Sequence, residues 1–307
     1  MCFRLQRATL RSRLWAVALL LGTSSLPADT TIDLAEKYAW SGNAGWISFR
    51  PNRPLEEDGV VVGESFLSGF AYCANLGYLN FGDGAPPNGH TYTNTSGLTF
   101  GVNHDGAGNL SGLAWSSSTG WVNFGWASAS DANRPRIDLF TGQFSGFAWG
   151  ANIGWINLAA GLRTRFISRP DTDRDGIADF WEFKHFRSLT RASRGTDADG
   201  DGESDLDEYK AGTDPGDLHH FFRLVSESYR FGTRTDLVTL EFTSTPSRHY
   251  FTQQAATLNG IWSGSPADAF APSSRNTTRK QVEAPNGVRR FFRVGSLLPL
   301  PEPISGR

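Results

Sequence analysis

Residues 112–125 read GLAWSSSTGWVNFG, and the same phrase stands three more times: YAWSGNAGWISF at 38–49, GFAYCANLGYLNFG at 69–82 and GFAWGANIGWINLA at 146–159. Each copy is a short apolar run, a cluster of turn-type residues and a second run. The first aromatics are Trp40, Tyr72, Trp115 and Trp149, the second Trp46, Tyr78, Trp121 and Trp155. Alternation puts Trp155 and Asn157 on one side of a strand and Ile156 and Leu158 on the other. Asn43, Asn75 and Asn152, with Gly45, Gly77, Gly120 and Gly154, suit positive-φ turn positions, so each copy is a β-hairpin. Segments ending in Ser-Gly (66–69, 110–112, 144–146) read as a further strand before it. One hairpin cannot bury its own face, so the copies must pack together as one hairpin-repeat β domain over residues 29–168. We assign the paired aromatics to the shared core. A sugar-stacking surface is the competing role, and exposed rings would favour it.

The second informative stretch is acidic. Residues 171–182 are DTDRDGIADFWE and residues 197–208 are DADGDGESDLDE. Each places carboxylates at positions 1, 3, 5, 9 and 12 with glycine at 6: Asp171, Asp173, Asp175, Asp179 and Glu182, then Asp197, Asp199, Asp201, Asp205 and Glu208. A hard cation such as Ca²⁺ takes six to eight oxygens at about 2.3–2.6 Å, and one tight loop of this spacing can supply them, the carbonyls of Ile177 and Glu203 at position 7 included. Gly176 and Gly202 permit the reversal. An acidic linker would need charge but not this register. Pro170 before the first loop leaves no entering helix, while 178–186 and 204–211 read as exiting helices. That favours a static clamp over a sensor, because opening needs two helices per loop.

This segment, about 169–215 and closing on Gly212-Thr-Asp-Pro215, resembles thrombospondin type 3 repeats and dockerin-like calcium loops. The resemblance implies bound Ca²⁺ in an exported protein. The Trp phrase is similar to repeats in secreted bacterial proteins and implies no activity.

Residues 1–28 carry Arg4, Arg7, Arg11 and Arg13 without an acid, then an apolar run at 14–21 too short to span a bilayer. They read as a secretory signal. Without them the net charge moves from −2 to −6, and Cys73 is the lone cysteine, so packing and metal must replace disulfides. Residues 171–215 hold 13 acids against 6 bases, whereas 216–307 hold 7 against 11. Short strand-like runs at 221–225, 237–242, 250–254, 281–283 and 290–294 indicate a C-terminal β-sandwich over 216–297. Residues 298–307 read as a disordered tail.

Catalysis finds little support. The six histidines show no HExxH spacing, and neither a Gly-x-Ser-x-Gly elbow nor a phosphate loop is present. The expectation is a mainly β, exported, non-enzymatic protein of the cell surface or matrix. Calcium would rigidify the joint between two β domains, and the partners would be a surface glycan or another surface protein. Nucleic acid is disfavoured by export and negative charge, and no membrane span follows the signal. A carbohydrate-binding module of a polysaccharide-using system is the alternative, and a divergent glycoside hydrolase stands behind it.

Overall fold

A computed structural model describes residues 30–51, 59–128, 130–273, 276–286 and 290–303. The expected signal at 1–28 lies outside them. The described chain is mainly β with two short helices, and none of its helices is long and apolar enough to cross a membrane.

The four phrases form four hairpins. These are β1 (Ile32–Ser41) with β2 (Gly45–Ser48), and, after β3 (Val60–Val62), β4 (Leu67–Cys73) with β5 (Gly77–Asn80). Next, β6 (Val102–His104) precedes β7 (Leu110–Ser116) with β8 (Gly120–Asn123). Last, β9 (Arg136–Ile137) and β10 (Phe144–Ser145) precede β11 (Phe147–Gly150) with β12 (Gly154–Asn157) and the closing β13 (Leu162–Thr164). Each hairpin pairs with the next, and β12 pairs back to β1, giving a closed, barrel-like antiparallel ring. Closure removes the open edges that a flat repeat sheet would expose. In three copies the flanking strand precedes the hairpin. In the first it comes from the far end, as β13 on β1, so the two ends of the domain hold each other.

The interior explains the repeat. Ala39, Ala71, Ala114 and Ala148 face inward opposite Ile47, Leu79, Val122 and Ile156, and the four alanines are fully buried. One residue beyond each second strand's asparagine or serine, Phe49, Phe81, Phe124 and Leu158 fill the axis, with Phe49–Phe81 and Phe81–Phe124 edge-to-face at 5.0 and 5.5 Å. An eight-strand ring has room for side chains of this size and little more. The expectation that the paired tryptophans build the core is therefore wrong. They occupy the alternate positions and point outward, with Trp46 56 % and Trp155 47 % exposed.

Two turn expectations also change. Positive φ falls on the glycines Gly45, Gly77, Gly120 and Gly154, not on the asparagines. Asn43, Asn75 and Asn152 instead donate from Nδ2 to the carbonyls of Ile153, Ala44 and Thr119 in the neighbouring turn (3.2, 2.9 and 2.9 Å), and Ser118 does the same to Leu76. The four turns thus form a head-to-tail ring of hydrogen bonds at one end of the barrel. Two of the Ser-Gly pairs do not end separate strands, because Gly69 and Gly112 lie inside β4 and β7; the third does, with Gly146 between β10 and β11. At Gly146 φ is +79° and an added Cβ would sit 2.0 Å from the Arg134 carbonyl oxygen.

Beyond the barrel, α1 (Asp179–His185) and α2 (Asp205–Ala211) pack Trp181 against Tyr209, rings 5.7 Å apart. The C-terminal unit is a small sandwich. One sheet is β14 (Leu224–Arg230), β15 (Thr235–Thr243) and β17 (Thr277–Pro285); the other is β16 (His249–Ala255) and β18 (Phe291–Leu297). Val238, Leu240 and Ala284 meet Phe292 and Val294 between them. The first strand starts at Leu224 rather than Phe221.

The three units meet at Glu64, on the barrel loop after β3. Its buried carboxylate binds Arg169 at 2.8 Å and Arg248, from the C-terminal unit, at 3.3 Å. Arg248 also donates to the carbonyls of Lys210 (3.0 Å) and Tyr209 at the end of α2. The expected disordered tail is ordered through Pro303: Arg169 bonds the carbonyls of Pro299 and Leu300, and its N–H meets Glu302 at 2.8 Å. Leu298 packs on the helix pair and Leu300 on the barrel.

Gly146→Ala should combine the positive-φ penalty with a clash and lose about 3 kcal/mol or more. Gly120→Ala, at φ +73° with open space around it, should lose about 1–2 kcal/mol. Urea unfolding of both variants checks this, and equal losses would contradict a close approach of the Arg134 carbonyl at Gly146.

Candidate functional site

Each acidic loop is shaped by its own carboxylates. Asp171 accepts the N–H groups of Asp175 (3.2 Å) and Gly176 (2.9 Å), and Asp175 accepts that of Ile177 (2.8 Å). In the second loop Asp197 accepts from Gly200 (2.8 Å) and Gly202 (3.0 Å), Asp199 from Asp201 (3.2 Å) and Asp201 from Glu203 (2.7 Å). These bonds turn each chain segment inside out, so that Asp171, Asp173 and Asp175, and likewise Asp197, Asp199 and Asp201, bring one oxygen each within 4.8 Å of the others. Gly176 and Gly202 supply φ of +98° and +100°, as the pattern requires. Position 4 needs positive φ too: Gly200 fits, whereas Arg174 is held at +63°.

The first turn of each following helix brings the last carboxylate inward. Glu182 is 0 % exposed and neither of its oxygens has a hydrogen-bond partner; Glu208 is 1 % exposed, with Oε1 accepting from Thr213 (3.2 Å) and Oε2 unpartnered. One oxygen each of Asp175, Asp199 and Asp201 is also buried and unpartnered. A buried acceptor without a donor is costly, and a carboxylate cannot donate to another carboxylate. A cation bound by the trio and the glutamate answers that demand, and an all-oxygen donor set suits Ca²⁺ better than a transition metal. The residues present fit the ion.

Not every expected ligand joins this group. Asp179 accepts the N–H and hydroxyl of Thr172 (2.7 and 2.5 Å), and Asp205 accepts the hydroxyl of Thr196 (2.5 Å) and the N–H of Ala198 (3.1 Å). Position 9 therefore ties the start of the loop to the helix. Thr172 and Thr196 were missed by the carboxylate pattern, though a hydroxyl beside position 1 in both loops was there to be read. Ile177 buries its side chain between the helices, and the Glu203 side chain is exposed, so both could serve through their carbonyls alone.

The charge crowding is visible in the acid equilibria. Burial first, then the charges of Asp173 and Asp175, raise Glu182 to about 8. Burial, with Asp199 and Asp201, raises Glu208 to about 8 against the opposing bond from Thr213.

A second candidate surface encircles the barrel. The outward pairs Trp40–Trp46, Tyr72–Tyr78 and Trp149–Trp155 face each other across their hairpins with ring centroids 4.6–5.2 Å apart, and Trp115 stands opposite Trp121 in the same register. Strand register continues each pair onto the preceding hairpin: Trp40 lies opposite Asn157, Trp115 opposite Asn80 and Trp149 opposite Asn123, while Tyr72 meets Ser48. No charged residue stands in these rows.

Comparison with known proteins assigns no relationship: no family model, no curated protein and no solved structure matches this chain.

In chelator, the folded glutamates hold protons that the unfolded chain, near 4.5, releases. Stability conferred by the protonated forms is then present below about pH 4.5 and lost as pH rises toward about 8. Thermal unfolding from pH 5 to 8 in EDTA should show this decline, and Glu182→Gln with Glu208→Gln should flatten it. Millimolar calcium, which takes the ionised forms, should remove it in the native protein. A slope unchanged by the double substitution would contradict this assignment.

Proposed function

We propose that this chain is an exported calcium-binding structural or adhesion protein of the cell surface or matrix, with two Ca²⁺ ions ordering the joint between its β units. The observation that supports it most is the position of the loops. Their helices carry the carbonyls of Tyr209 and Lys210 that hold Arg248, and Arg248 in turn holds Glu64 of the barrel. A cation that closes the second loop would fix the start of α2, and the end of α2 holds Arg248, through which the C-terminal unit meets Glu64 of the barrel. Calcium acts through the folded form: an ion that binds it alone stabilises it by about 2.7 kcal/mol at a hundred times Kd. Asp171, Asp173, Asp175 and Glu182 would hold one ion and Asp197, Asp199, Asp201 and Glu208 the other, with the carbonyls of Ile177 and Glu203 completing the shells. Loops without entering helices suit a permanent clamp. Catalysis plays no part in this reading.

Calorimetric titration of calcium into the chelator-stripped protein tests it, with limited proteolysis alongside. Two sites are expected. Asp173→Ala should remove one and Asp199→Ala the other, and calcium should protect residues 186–196 in the native protein only. No heat at millimolar calcium, or binding that leaves protease sensitivity unchanged, would overturn the clamp.

A further inference from the structure

We infer that the aromatic belt is a binding surface for neutral polysaccharide, with three repeated subsites each built from a tryptophan pair and the amide of the preceding hairpin. The inference supplies a ligand class to the adhesion reading and rests on it for the extracellular setting, but its geometry stands on the barrel alone.

The row through Trp46 shows the construction. Phe147, Asn157, Trp40 and Trp46 lie side by side on four successive strands. A row of four strands spans about 14 Å, room for two or three linked sugar rings. Trp40 is 40 % and Trp46 56 % exposed, so ring surface remains open after the two indoles have packed edge-to-face. A pyranose presents an apolar C–H face, which an aromatic ring covers, and a rim of hydroxyls, which need donors and acceptors in the plane beside that ring. The amide supplies the donor. Asn157 uses Oδ1 to accept the N–H of Ala159 at 2.9 Å, which fixes its orientation, and no acceptor among the described residues takes its Nδ2. Asn80 and Asn123 are held the same way, by Gly82 at 2.8 Å and Gly125 at 2.7 Å. The fourth row lacks this amide, because Ser48 donates to the Arg50 carbonyl.

Two features select this ligand over others. The rows carry no cation, which disfavours anionic polymers and acidic lipid surfaces. They also run round the whole barrel, so a second copy or a flat protein partner would cover one row and leave the others exposed, whereas a linear polymer can engage any row. Cross-strand aromatic pairs also stabilise hairpins, by about 0.2–1 kcal/mol each. That role alone would not require an oriented amide beside each tryptophan pair.

The test is pull-down of the full chain on insoluble cellulose, chitin, xylan and mannan, with tryptophan fluorescence titrations of soluble neutral glucans, each in calcium and in EDTA. At least one neutral polymer should be retained. Trp46→Ala, Trp121→Ala and Trp155→Ala combined should lower retention tenfold or more. That variant could misfold, so Asn80→Asp, Asn123→Asp and Asn157→Asp combined is the second: it keeps the Oδ1 acceptor, removes the donor, and should also weaken binding tenfold. Binding that survives in EDTA while calorimetry finds no calcium site would sustain the belt and sink the clamp. Retention of anionic polymers only, retention equal in both variants and the native chain, self-association abolished by the tryptophan substitutions in place of glycan binding, or no retention at all would each overturn the inference.

Discussion

A buried carboxylate oxygen with no donor near it is among the least stable arrangements a protein can hold, and this molecule concentrates several of them in forty residues. Glu182, Glu208, Asp175, Asp199 and Asp201 all leave oxygens in that condition. No donor among the described residues reaches these oxygens: the Thr213 hydroxyl reaches only Oε1 of Glu208, and Arg194 bonds the carbonyl of Asp175. A cation at the centre of each loop, as proposed, would answer that arrangement. Burial, with the charges of the neighbouring aspartates, holds both glutamates far above the ordinary carboxylate range.

That demand reaches the whole fold through Arg248. Its guanidinium binds the last carbonyls of α2 and the buried Glu64, and Glu64 is shared with Arg169, which bonds Pro299, Leu300 and Glu302. A buried pair of this kind is weak evidence for net stability, because desolvation offsets attraction, but removing one partner strands a charge and typically loses about 3–5 kcal/mol. Its contribution here is geometric. Barrel, loop helices and sandwich share one set of hydrogen bonds, so order in the acidic segment is felt by both β units.

The repeated phrase made the hairpins and their period legible, and alternation correctly separated Trp155 from Ile156. It did not say which face was inside. Size suggested the tryptophans, yet the small residue just before each first aromatic held the answer. Ala39, Ala71, Ala114 and Ala148 recur because a closed ring of eight strands admits alanine opposite isoleucine, leucine or valine and cannot admit eight large aromatics. The turns of the acidic loops were legible almost residue by residue, since the carboxylates and glycines that shape them lie within twelve positions. The bonds of Asp179 and Asp205 to threonines were not legible, because charge pattern does not show which carboxylate also tethers a hydroxyl. Glu64 had no local signal at all: its partners stand 105 and 184 residues away. The same limit hid the order in residues 298–303, whose backbone carbonyls are used by a distant arginine.

A closed barrel whose outer surface repeats, bonded to a second β unit through Glu64 and Arg248, is suited to presenting several equivalent contacts, and the proposed clamp would set how firmly their relation is kept. The most direct measurement of the central claim is a crystal structure of the protein grown with calcium. The account predicts two ions, each 2.3–2.6 Å from oxygens of an aspartate trio and its buried glutamate, with Asp179 and Asp205 still bound to their threonines. Density for Glu182 and Glu208 without a cation beside them would contradict it.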